Sequence, residues 1–362
     1  MNSFEKLYIE RLPITHNILR TIRLLGEFKG KQELFTRQTP QLLETLRQAA
    51  IIQSTESSNR IEGVTAPLER IKALVAEKTT PRNRSEQEIL GYRDVLNKIH
   101  TSFADIPVTA NVVLQFHRDL YSYTEGEGGK WKTVDNQIIE KFPDGTEFIR
   151  FKTVSAFATA DAMERLHRAF NASRNSGEFE SLLLIPAYVL DFLCIHPFLD
   201  GNGRMSRLLT LLLLYQAGYE VGRYISLEKL VEKTKESYYE ALNISSRGWH
   251  EGKHDLTPWM EYFLGLLIAA YREFEERVGI LTTARGAKTQ MILEAVRHLP
   301  ETFRITDVER ACPQVKRDLI RKVLNRLRTD GKLEQEGRGL GAVWRRSGTE
   351  FSASELINEA KP

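Results

Sequence analysis

The stretch IHPFLDGNGRMSR, residues 195–207, constrains this chain more than any other. It sets a histidine, a carboxylate, two glycines around an asparagine and two arginines between two strongly apolar segments, SLLLIPAYVLDFLC and LLTLLLLYQAGY. The flanks read as helices that hold the turn between them, and the turn is too polar to be a core choice. The first helix, 181–195, ends at His196 because Pro197 disfavours further helix. The chain then turns through Gly201-Asn202-Gly203, where glycine admits positive φ and lets a ligand come close to the backbone. A second helix starts near Gly203.

The physical roles divide cleanly. The first turn of the second helix offers unpaired N–H groups and the positive end of a dipole, which together favour an anion. Arg204 and Arg207, three apart, add charge-assisted bonds to phosphate oxygens. Asp200 beside a polyphosphate is a natural Mg²⁺ ligand, since that ion takes one or two carboxylates plus substrate phosphates. His196 supplies an imidazole able to take a proton near neutral pH. A phosphate cradle, a metal and a general base suit transfer of a phosphorus centre to a hydroxyl.

The rest of the chain is mostly helical in pattern. Apolar residues at helical spacing run through TPQLLETLRQAAIIQST, SEQEILGYRDVLNKIH, TANVVLQFHRDLYS, ATADAMERLHRAF and TPWMEYFLGLLIAAYREFEERV, with Ser85, Thr109 and Thr257-Pro258 as start signals. Residues 136–154 differ: β-branched and aromatic residues flank Pro143-Asp144-Gly145, which predicts a hairpin. Residues 302–346 read helix, helix, then a Gly-rich two-stranded wing, the order of a winged-helix module. That segment holds about twelve Lys and Arg against six Asp and Glu.

With 362 residues, 41% of them hydrophobic and 27% charged, the chain can bury real cores in two or three domains. A net charge of +3 demands neither nucleic acid nor membrane. No apolar leader opens the sequence, and the longest apolar runs fall short of the roughly 18–20 residues that span a bilayer. Cys194 and Cys312 form no disulfide framework or metal spacing. The chain reads as soluble and cytoplasmic.

HPFLDGNGRMSR matches, at every defined position, the Fic-family motif H-x-F-x-D/E-G-N-G-R-x-x-R, and the resemblance covers most of residues 40–280. It implies a mainly α fold, a Fic-type helical bundle with a β-hairpin flap, to which the winged helix is appended. It also implies an adenylyltransferase that moves AMP from ATP onto a Ser, Thr or Tyr hydroxyl of a target protein and of itself. By position, His196 would be the base, Phe198 the loop anchor and Asp200 the Mg²⁺ ligand. Gly201, Asn202 and Gly203 would cradle phosphates, Arg204 would support loop and phosphates, and Arg207 would meet the γ-phosphate.

SSNRIEG, residues 57–63, carries S-x-x-x-E-G as Ser58, Glu62 and Gly63, the end of a helix with Gly63 as a C-cap. It resembles the family's inhibitory helix, which implies that Glu62 pairs with Arg207 and denies it to ATP. The hairpin resembles the flap that holds a target by strand addition, with Phe148, Ile149, Arg150 and Phe151 as the edge. Tyr238-Tyr239 resembles the adenine-side tyrosine pair. Many relatives have Asn near Ser246, so that contact to the nucleotide is altered here.

The expected division is a helical region over 1–84 with its inhibitory segment at about 40–63, a catalytic core over 85–280, the winged helix over 285–350 and a tail over 351–362. The same base-and-phosphate architecture also serves removal of AMP, or transfer of another phosphate-linked group such as phosphocholine. A rival reading is a DNA-binding regulator acting through Lys316 to Arg328, with the core as nucleotide sensor. A homodimer is a further possible partner state. HEGKH, residues 250–254, fits H-E-x-x-H but lies between Gly248 and Pro258, so it reads as a loop and not as a zinc helix.

Overall fold

The computed structural model describes residues 3–4, 8–38, 40–125, 128–141, 146–283, 287–312, 315–337 and 342–347. In chain order the helices are α1 (His16–Gln38), α2 (Pro40–Ile61), α3 (Leu68–Val75), α4 (Arg84–Ser102) and α5 (Ala110–Leu120). A hairpin of β1 (Gln137–Lys141) and β2 (Glu147–Lys152) follows. Then come α6 (Ala156–Ser176), α7 (Ser181–Ile195), α8 (Asn202–Gln216), α9 (Leu227–Lys233), α10 (Lys235–Ser246) and α11 (Thr257–Thr283). The last elements are α12 (Ala287–His298), β3 (Thr302–Arg304), α13 (Ile305–Ala311), α14 (Arg317–Thr329), β4 (Leu333–Glu336) and β5 (Val343–Arg346). None of the described helices is long and apolar enough to cross a membrane.

The chain divides into two compact units, residues 1–32 with 44–274, and residues 33–43 with 275–362. In the first, α7 and α8 are central: twelve of the fifteen residues in each are buried. A helix apolar on every side has no solvent face, so α7 packs against α6, α8 and α10, while α8 also packs against α4 and α5. Even the internal Pro186 is accommodated, its carbonyl accepting from Trp259 Nε1 at 2.9 Å.

The boundary expected at residue 84 does not separate compact bodies. Residues 1–32 and 44–84 fold with the core. The N-terminal strand of chain is tied to α7 itself: Asp191 accepts from the Ser3 N–H at 3.2 Å, Ser3 Oγ at 2.6 Å and Trp249 Nε1 at 2.6 Å. Burial pushes that carboxyl up to about 6.

Local start signals hold with small shifts. Thr109 caps α5 through Val112 N. Asn83, not Ser85, caps α4, its Oδ1 accepting from Glu86 N at 3.0 Å; the amide reaches the orphan donor from just outside the helix. Thr257 is already helical, and Asp255 Oδ1 takes its N–H at 2.9 Å. The hairpin forms as β1 against β2, while its expected turn at Pro143-Asp144-Gly145 lies outside the described residues.

The second unit buries Ile292, Val296, Val308, Ile320, Leu324 and Trp344 in its own core. Its antiparallel sheet has the order β3-β5-β4. The expected helices and paired strands are present, with α12 and the three-residue β3 added; the tail at 351–362 and part of the wing loop lie outside the described residues.

Burial leaves a titration signature in the first unit. Desolvation lowers His100 to about 3 and His117, His167, His196 and His254 each to about 4, from an ordinary 6.5. Between pH 6.5 and about 4 the unfolded chain takes up protons that these five rings do not, so stability rises with pH across that window. Asp191 acts in the opposite sense, but as one group against five. Melting followed by tryptophan fluorescence should show a clearly lower midpoint at pH 5 than at pH 7. An unchanged or higher midpoint at pH 5 would mean that these rings are not held neutral.

Candidate active site

The turn between α7 and α8 is built from below. His196 closes α7 in the left-handed region, φ 52° and ψ 62°, a backbone state that a non-glycine residue keeps only where its surroundings impose it. Phe198 behind it is fully buried and stacks on His117 with ring centroids 3.6 Å apart. Asn202 turns inward: its Oδ1 accepts from Phe198 N at 2.9 Å and its Nδ2 donates to Phe198 O at 2.7 Å. Its side chain therefore braces the loop.

Further supports come from chain far away in sequence. Lys132 Nζ donates to Ile195 O at 3.0 Å, and Asn136 Nδ2 donates to Phe198 O at 2.8 Å. Burial pulls the Lys132 ammonium down to about 8. His117 accepts from Gly129 N–H at Nδ1, so its Nε2–H is free to donate to Asp200 O at 3.1 Å. None of these residues carries a local signal that sequence reading could use.

The two arginines behave differently. Arg204 is 1% exposed, pairs with Glu88 at 2.6 Å, donates to Tyr121 Oη at 2.8 Å, and does not line the cleft. Arg204 thus braces the loop from beneath. Arg207 reaches the cleft. Its Nε donates to Ser58 Oγ at 2.8 Å, and its Nη2 donates to Ser58 O at 2.9 Å and Glu62 Oε1 at 2.8 Å. Burial opposes the charge on Arg207, but Glu62, Tyr238 and Tyr92 together outweigh it, so its pKa is raised.

Glu62 arrives at the end of α2, where Gly63 takes φ +82° and ends the helix. Its carboxylate lies against Gly203 in the first turn of α8: a Cβ built there would collide with Oε1 and stand 2.8 Å from Cδ. Four contacts fasten α2 to α9 and α10. Ser54 Oγ donates to Glu228 and Ser57 Oγ to Glu232, each at 2.7 Å; Arg60 meets Glu232 at 3.1 Å, and Lys235 Nζ donates to Ile61 O at 3.1 Å.

These groups open on one cleft of about 1140 Å³, lined by Glu62, His196, Asp200, Gly201–Gly203, Arg207, Tyr238 and Tyr239 among others. His196 has one ring nitrogen engaged and one free. Its Nδ1 donates to Leu193 O at 3.2 Å, which leaves the Nε2 lone pair available. Burial lowers its pKa to about 4, so the ring is neutral at physiological pH. Asp200 keeps an exposed side chain; burial would raise its pKa, but Arg204, Tyr121 and the Gly201 N–H hold it below its ordinary value. One ionised, accessible carboxylate fits Mg²⁺ bound chiefly through nucleotide phosphates. Among the described residues no group of three or more His, Cys, Asp or Glu side chains gathers as a metal site.

The hairpin splits its expected edge. Phe148 and Ile149 are exposed at 61% and 47%, while Arg150 and Phe151 line the cleft. Phe151 stacks on His250, whose Nε2–H donates to Lys152 O at 2.7 Å. The HEGKH segment is a loop that anchors β2. Tyr238 is buried against Trp259 and Tyr262, and Asn243 and Ser246 share the cleft with Tyr239. Cys194 is buried, with its thiol pushed well above the ordinary range.

Residues 107–214, from α5 through the loop into α8, match the Fic/DOC family. Over that segment the chain resembles the Fic/DOC family. It is 24% identical over 258 residues to the protein adenylyltransferase Fic of Drosophila persimilis, covering 68% of this chain and 46% of that protein. The Nematostella vectensis protein of the same name is 25% identical over 224 residues, covering 59% and 46%. The chain therefore spans about half the length of the curated relatives it matches. A Fic family protein from Desulfovibrio desulfuricans G20 shares the fold, with a TM-score of 0.62 at 23% identity over 94% of this chain and 98% of that one. The α2 segment bearing Glu62 lies outside the matched Fic domain and meets it only through tertiary structure.

The loop between α7 and α8 should depend on its remote braces. Lys132→Met removes the donor to Ile195 O and is expected to cost about 1–3 kcal/mol, and Asn136→Ala about 1 kcal/mol. Urea unfolding measures both. Midpoints equal to the parent's for both variants would show that the loop does not lean on them.

Proposed function

We propose that this chain transfers AMP from ATP to a hydroxyl of a protein, and of itself, under restraint by Glu62. One observation carries the reading: a carboxylate of the chain already sits in an anion seat, against Gly203 at the start of α8 and on Arg207, in the same cleft as a neutral histidine. A site that holds a carboxylate there suits a phosphate.

In this reading His196 Nε2 takes the proton from the target hydroxyl as its oxygen attacks the α-phosphorus. The P–O bond to the β-phosphate breaks and pyrophosphate leaves. Mg²⁺ held by Asp200 would neutralise charge on the phosphates. The first-turn N–H groups of α8 cradle them, Arg207 takes the γ-phosphate, and Tyr239 borders the base. While Glu62 holds Arg207, ATP lacks that partner and lies in a non-productive pose. The exposed Phe148 and Ile149 of β2 support target docking by strand addition.

Incubation with α-labelled ATP and Mg²⁺, followed by mass spectrometry for added AMP, tests this. Glu62→Gly should raise incorporation at least tenfold over the parent, and Glu62→Gly with His196→Ala should abolish it. Equal labelling with and without His196 would sink the mechanism; equal labelling with and without Glu62 would sink the restraint.

A second reading concerns the second unit, which we take as a winged-helix module. Helix α14 buries Ile320, Val323, Leu324 and Leu327 and exposes Arg321 and Lys322, for which no ion pair is found among the described residues. Such a face suits duplex DNA phosphates. Anisotropy with labelled duplex DNA should show binding that weakens steeply with salt and is lost in Arg321→Ala/Lys322→Ala. Binding unaffected by either change would remove α14 as the contact.

A further inference from the structure

The pairing of β1 with β2 slips by one residue. Ile138 faces Phe151 and Ile139 faces Ile149, which leaves Arg150 as the extra residue of a β-bulge. Bulges beside active sites commonly re-aim a side chain. Here the bulged residue lines the cleft, and its guanidinium carbon stands 5.8 Å from the centroid of the Tyr239 ring. The Arg150 Nε is buried and has no hydrogen-bond partner, and no ion pair to Arg150 is found among the described residues, although Glu236 and Glu240 line the same cleft. Lys235 approaches the same ring at 5.9 Å but is already engaged with Ile61 O.

We propose that Arg150 is a base-clamping residue, its guanidinium plane packing on the purine of the bound nucleotide beside Tyr239. This rests on the AMP-transfer reading, which fixes the phosphate end of the nucleotide at Gly203 and Arg207. A planar cation held over an aromatic ring is a stacking surface for another π-system. A plain charge role in phosphate binding is disfavoured because Arg207 and the α8 N-terminus already supply that end. A role in gripping the target is disfavoured by direction: Glu147, Phe148, Ile149 and Lys152 of β2 are exposed, whereas Arg150 is partly buried and lines the cleft.

The test is made on full-length protein carrying Glu62→Gly, with calorimetry of ATP and of inorganic tripolyphosphate, which has the charge but no base. Arg150→Ala should weaken ATP about tenfold, as loss of one stacking partner does, and leave tripolyphosphate unchanged. Arg150→Lys, which keeps the charge and loses the plane, should also weaken ATP. Equal weakening of ATP and tripolyphosphate would overturn the proposal in favour of a phosphate contact. Unchanged ATP affinity would overturn it too, and a raised KM for the protein acceptor alone would then assign Arg150 to the target. If the Glu62→Gly parent binds tripolyphosphate but not ATP, the AMP-transfer reading falls and takes this assignment with it.

Discussion

A guanidinium with 1% exposure is tolerable only when its charge is met, and the two terminal nitrogens of Arg204 are met from several directions while its Nε has no partner. Glu88 of α4 neutralises it at 2.6 Å, Tyr121 beyond α5 accepts a bond and lends its ring face, and Asn59 of α2 lies at 3.5 Å. Three helices are thus keyed to the first turn of α8. The same Tyr121 hydroxyl donates to Asp200 Oδ2 at 2.8 Å, so the brace under the loop also sets the carboxylate at its mouth. Removing one member of such a network leaves a buried charge uncompensated, and the loop geometry above it goes with it.

On top of this fixed base stands a part that can exchange partners. Arg207 is shared between Ser58, Glu62 and the cleft, and the contacts that present Glu62 to it are hydroxyl–carboxylate and backbone bonds along α2, α9 and α10. Ser54 meets the buried Glu228, which also takes bonds from Ser226 and Tyr92. The site therefore combines a rigid loop with a helix docked by separable polar contacts, which is the physical form a restraint must have if it is to be lifted.

How much of this the sequence discloses depends on distance along the chain. His196, Asp200, Gly203 and Arg207 fall within twelve residues, so their chemistry is legible as one string. Glu62 is legible through its own short motif, and Gly63 does end α2 with a left-handed backbone. The braces are not legible. Glu88 lies 116 residues from Arg204, His117 83 from Asp200, and Lys132 63 from the carbonyl it holds. No periodicity marks a lysine or tyrosine whose partner is set only by folding. For Asn202 and Arg204 the residue types suit a ligand, and the structure adds that their side chains hold the loop. The division at residue 84 fails for a related reason, since a segment that reads as separate docks through residues such as Ser3 and Ser54 whose partners are distant.

Gly203 is vacant of side chain on the face where Glu62 rests, and that vacancy is common ground. A methyl group there would exclude the carboxylate, and it would equally exclude a phosphate approaching the same turn. Under the proposed AMP transfer, inhibitor and substrate cannot be separated by reshaping the seat, because both require the same missing atoms. Selectivity between the two states must be written elsewhere, in how firmly α2 is held against α9.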